Sequence, residues 1–166
     1  METYNATATI ITPEALLAHW QGHRGLTRRV IEAFPEKELF EFSIGGMRNF
    51  AMLAMELTDL TNPGIEGLVT EEWKEMGNLP HVTGEGMPEN KEELLALWDE
   101  TTDKLNRFWA QLTPERFSEM TKAFGMYENT VLNTILYFID NEIHHRGQGY
   151  VYLRALGIEP PAFWDR

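Results

Sequence analysis

Apolar residues recur at helical spacing in four stretches of the chain. The first holds Leu16, Leu17, Trp20, Leu26, Val30, Ile31 and Phe34. It opens on Thr12-Pro13-Glu14, a hydroxyl cap followed by a first-turn proline and an early acid. Pro35 stops it, because proline has no amide donor and clashes with the preceding turn. The second is predicted from Ile44 to Leu60 with Ser43 as its cap, and Asn62-Pro63-Gly64 as its end. Met47, Phe50, Leu53, Ala54 and Leu57 form its apolar face, which Met52 and Met55 widen. The third starts at Asn90, three residues before Glu93 in a capping arrangement, and runs to about Leu112 over Leu94, Leu97, Trp98, Leu105, Phe108 and Trp109. The fourth runs from near Asn129 to Leu156 and is apolar on more than one side, as suits the most buried helix of a bundle. Gly157 is its expected C-terminal cap.

Between these stretches the pattern breaks. Ile65 to Lys91 reads as a long irregular connection, rich in Gly and Pro, with one short helical turn at 70–75. His81 lies in it, and a lone loop histidine is more often solvated than functional. Arg116 to Tyr127 reads as a connector with Phe117, Phe124 and Tyr127 as packing anchors and Gly125 as a turn. Met1 to Ile11 is expected to lie as a tail on the surface. The expectation is an all-α four-helix bundle with a long connection between helices 2 and 3, and one domain over residues 1–166.

Composition narrows the function classes. An apolar content of 43% supports a folded globule. The formal net charge of −12 repels phosphate backbones, so no nucleic-acid partner is expected. No stretch has the roughly 18 apolar residues of a membrane span, and no signal peptide is visible. With no cysteine, the chain brings no disulfide and no thiolate of its own; a cytoplasmic location is expected. Phe163 and Trp164 are expected to fold back onto the bundle, or, if exposed, to meet a second subunit in a homodimer.

The candidate chemistry centres on Asp140-Asn141-Glu142-Ile143-His144-His145-Arg146-Gly147-Gln148. Residues four apart share a helix face, so Asn141 aligns with His145, and Asp140 with His144. Such pairs furnish half of a metal or catalytic site. His19 and His23 form a rival pair by spacing, for which a partly exposed polar stripe is the plainer explanation. Arg24, Arg28 and Arg29 make a basic patch that reads as a solvated face, or as a hold for an anionic ligand group. Glu56 falls beside the buried stripe of the second helix, where periodicity leaves its direction open.

His144-His145-Arg146-Gly147-Gln148, with Tyr152-Leu153-Arg154 and Leu156-Gly157 behind it, resembles the last helix of the DinB/YfiT-like family. The segment from Met47 to Glu56 resembles that family's second helix, and the helix layout extends the resemblance over nearly the whole chain. The resemblance implies a DinB-like bundle with a divalent metal between its helices. Where the family has three histidines, this sequence has Glu56, Asn141 and His145. Zinc and nickel favour imidazole, and carboxylate and amide oxygens suit harder ions such as manganese. The resemblance favours an inward Glu56. His144 takes the place of His145 if the helix is rotated, and Asn141 serves either as a ligand or as a contact to metal-bound water. The implied activity is a metal-dependent S-transferase or isomerase acting on a small-molecule substrate with an external low-molecular-weight thiol. The alternative is a bundle that binds a small molecule or dimerises and has lost the metal.

Overall fold

The computed structural model describes residues 10–166. Four long helices carry the fold: α1 (Pro13–Ala33), α3 (Phe50–Thr70), α5 (Lys91–Trp109) and α6 (Val131–Ala155). Two short helices, α2 (Glu36–Glu41) and α4 (Pro80–Thr83), sit in the connections. α3 packs on α5 and α6, and α1 packs on the same two. The fold is mostly helical but not strictly all-α. Part of the expected connector forms an antiparallel hairpin, β1 (Met120–Ala123) against β2 (Tyr127–Thr130), with Ala123 opposite Tyr127. Phe124 and Gly125 turn its tip at φ +53° and +70°, the left-handed geometry a short hairpin loop demands. Residues 1–9 of the expected N-terminal tail lie outside the described residues, and Ile10 and Ile11 are exposed.

Local chemistry explains most helix boundaries. Thr12 caps α1 by accepting from the Ala15 amide at 3.2 Å. Asn90 accepts from Glu93 N at 2.9 Å while the Glu93 carboxylate accepts from Glu89 N at 2.8 Å. Gly157, at φ +77°, closes α6, and Ile158 N donates to the Leu153 carbonyl. The second long helix departs from the sequence expectation at both ends. Its cap is Asn49, accepting from Met52 N at 2.9 Å, and it begins at Phe50 rather than Ile44. It also continues through Pro63 to Thr70. Proline removes one intrahelical bond, but Leu60, Ile65 and Leu68 are buried around it and outweigh that loss. The expected helical turn at 70–75 is absent beyond Thr70.

The core divides into two apolar halves. One gathers Trp20, Leu60, Ile65, Leu105, Trp109, Ile135 and Phe138. The other gathers Val30, Phe34, Phe50, Leu53, Trp98 and Tyr152. Every long helix places buried polar residues between them: His23, Arg24 and Thr27 on α1, Thr58, Asp59 and Thr61 on α3, Thr101 on α5, and Glu142, His145 and Arg146 on α6. The Phe50 ring packs directly against α6 at Gly149. A Cβ there would approach the Phe50 ring at 2.4 Å. Gly149→Ala is expected to lower stability by about 1–3 kcal/mol through overpacking, measured by urea denaturation.

Phe163 and Trp164 do not fold back onto the core; they are exposed at 64% and 73%. No described helix is long and apolar enough to cross a membrane.

Candidate functional site

The polar belt brings the sequence candidates together at one end of a cleft. Glu56, on α3, points inward and is 17% exposed at its side chain. Its Oε1 accepts from Asn141 Nδ2 at 3.3 Å and faces His145 Nε2 at 3.1 Å. Its Oε2 accepts from Arg48 Nη2 at 2.5 Å. His145 Nδ1 pairs with the Gln148 amide at 2.6 Å, so Gln148 fixes the ring's orientation. His144 is exposed, and His145 is the buried one of the two histidines. Burial works to raise the Glu56 pKa. Hydrogen bonds and charge from His145 and Arg48 outweigh it and hold the carboxyl down at about 2.

The cleft beside Glu56 has a volume of about 740 Å³. Arg48 and Glu56 line one end, the hairpin supplies Phe124, Tyr127 and Glu128, and α6 supplies Asn133 and Tyr137. His81 lines it too. This histidine, expected in a loop, lies on the short helix α4 and is not simply solvated: its Nδ1 lies 2.8 Å from the buried Asp59 carboxylate on α3.

Two other sequence expectations change. The arginine patch is not one solvated face. Arg24 is fully buried, stacks 3.9 Å over the Trp98 ring, and donates to Thr102 Oγ1 and the Trp98 carbonyl. Its counter-charge is Glu142, 3.7 Å away, which accepts from Thr27 Oγ1 at 2.6 Å. Burial pushes the Glu142 pKa up and the Arg24 pKa down to about 10. Arg28 is taken by Asp99 and Glu32, and Arg29 by Asp165, so none of the three is positioned as a free anion hold. In the rival pair, His19 and His23 approach at Nε2 to 3.2 Å, but Arg146 and Arg166 both contact His23. Burial first, then the Arg146 charge, lowers the His23 pKa to about 4. Two flanking guanidinium groups disfavour a metal there.

The Glu56 cluster likewise fits a divalent ion poorly. A ligand atom must offer a lone pair. Here the Asn141 amide and the Arg48 guanidinium both point at the ionised carboxylate as donors, and the guanidinium brings a positive charge that repels a cation. Among the described residues no three His, Cys, Asp or Glu side chains are grouped to hold a metal.

Helix arrangement and cleft define a DinB-like fold, and comparisons agree. The family model described as the DinB family matches residues 1–165. The chain therefore belongs to the DinB family. A DinB-like protein from Bacillus cereus superposes with TM-score 0.71 at 15% identity, over 90% of this chain and 95% of that one. A DinB-like protein from Bacillus subtilis gives 0.68 at 20% identity, over 91% and 99%. A mycothiol-dependent maleylpyruvate isomerase gives 0.64 at 15% identity, over 82% of this chain and 60% of that one. At these identities the likeness concerns the fold. No curated protein matches the sequence.

Proposed function

We propose that this DinB-family protein binds a small molecule in the 740 Å³ cleft, against a Glu56 network that works without a metal ion. One observation carries the reading: the Glu56 carboxylate already accepts from two nitrogen donors, the Asn141 amide and the Arg48 cation. An arginine already supplies the positive charge that a metal would bring. The cleft's apolar wall of Leu60, Phe124 and Phe138, with a few polar groups at its ends, is the usual make-up of a small-molecule site.

A second reading keeps the family's metal, with Glu56, Asn141 and His145 as ligands to zinc, nickel or manganese and an external low-molecular-weight thiol as cofactor. The convergence of those three side chains favours it, as does the fold shared with a mycothiol-dependent isomerase. It requires Arg48 to leave Glu56 and the Asn141 amide to turn its oxygen toward the ion.

Elemental analysis of freshly purified protein separates the two. The expected result is well below one equivalent of any transition metal, and no rise in Tm when zinc, nickel or manganese is added. One equivalent of bound metal, abolished by both Glu56→Ala and His145→Ala, would overturn the metal-free reading and establish the second.

A further inference from the structure

The cleft holds a second carboxylate–histidine pair. Asp59 lies three residues after Glu56 on α3, one helical turn along the same side. It is 5% exposed, and its Oδ2 accepts from the His81 backbone amide at 2.7 Å while facing ring Nδ1 at 2.8 Å. The imidazole is thus held twice, once through its backbone and once through its ring. A carboxylate that accepts from Nδ1–H leaves Nε2 as the lone-pair nitrogen of the neutral ring. Nε2 makes no hydrogen bond to any described residue, and His81 lines the cleft.

We propose that Asp59 and His81 form a general-base pair, in which His81 Nε2 takes a proton from a protic group, water above all, bound in the cleft. Asp59 selects the ring tautomer, orients the imidazole and balances the charge that appears when Nε2 is protonated. A histidine serving only to pin α4 would need one bond to Asp59, and the backbone amide already provides it. The other ionisable groups lining the cleft are Arg48, Glu56, Tyr127, Glu128 and Tyr137. Arg48 and Glu56 are paired with each other and Glu128 is exposed on the hairpin, whereas His81 is largely buried and held by a buried carboxylate with its second ring nitrogen open.

The inference rests on the cleft being a ligand site but does not depend on the metal question. Its test is run in a chelator and reads a different quantity, so the two failures are distinguishable. The probe is p-nitrophenyl acetate. Water attacks the acetyl carbonyl as Nε2 takes its proton, the bond to the nitrophenyl oxygen breaks, and the imidazolium returns the proton to the departing oxygen. The products are acetic acid and nitrophenol.

Wild-type protein is expected to turn the probe over above the buffer background, with a rate that rises with pH. His81→Gln, which keeps the backbone anchor, is expected to lose about tenfold or more of that rate and its pH-dependent limb. Asp59→Asn is expected to fall between the two, and His144→Gln, on the exposed face, to match wild type. In wild-type protein, diethyl pyrocarbonate is expected to acylate His81, located by peptide mass mapping, in step with loss of turnover. Turnover unchanged in a folded His81→Gln variant would overturn the proposal. So would turnover lost on acylation while His81 stays unmodified, a result that needs no variant.

Discussion

Glu142→Ala is expected to lower the stability of this protein by about 3–5 kcal/mol, the range for removing one partner of a buried ion pair. Glu142 is 1% exposed and sits between two arginines of the polar belt. Arg24 lies 3.7 Å from its Oε2, and Arg146 donates to the same Thr27 hydroxyl that Glu142 accepts from. Without the carboxylate, a fully buried guanidinium keeps its hydrogen bonds to Thr102 and Trp98 but loses its counter-charge. Urea denaturation with circular dichroism measures the loss directly. A change below about 1 kcal/mol would mean that Arg24 finds its balance elsewhere. The effect is large beside a typical domain stability of about 5–15 kcal/mol. Arg24→Met with Glu142→Leu, which removes both charges and keeps the volume, is expected to recover much of it.

The second large effect is a stability window at acid pH. The Glu56 carboxyl is held at about 2, against an ordinary value of 4.5. A carboxyl depressed on folding contributes stability that is fully present above its unfolded value and is lost as pH falls through its folded one. The contribution is at most about 3 kcal/mol at neutral pH, from the size of the shift. The stability gap between wild type and Glu56→Gln is therefore expected to be constant from pH 7 down to about 5. It should narrow below pH 4.5 and close as pH approaches 2. Urea midpoints of both proteins at several pH values test this. A gap that does not narrow in that range would show that the Arg48 and His145 bonds do not hold the carboxylate ionised.

Much of the architecture was legible because helices are written locally. Thr12, Asn90 and Gly157 act at their predicted ends, since a cap depends on residues within one turn of it. The hairpin was less legible. Gly125 marked a turn, but Met120–Ala123 and Tyr127–Thr130 are too short for a convincing alternation, and pairing across the turn decides them. Pro63 misled for the complementary reason. Its local penalty is real, but burial of the surrounding helix faces, which no local window records, exceeds it.

The site divides in the same way. By itself the sequence determined the long helices, and the last-helix motif whose spacing aligns Asn141 with His145. The resemblance of two helices to one family added Glu56 as their partner. Tertiary structure alone decided what these residues do to one another. It turned His145 inward and His144 outward, gave Glu56 an arginine partner, buried Arg24 against Glu142, and carried His81 onto Asp59. Helical periodicity repeats every few residues and is readable in one strand of text. The charge partner of a buried group is chosen by packing between segments tens of residues apart, where only the folded chain shows whether a carboxylate meets a donor or a metal.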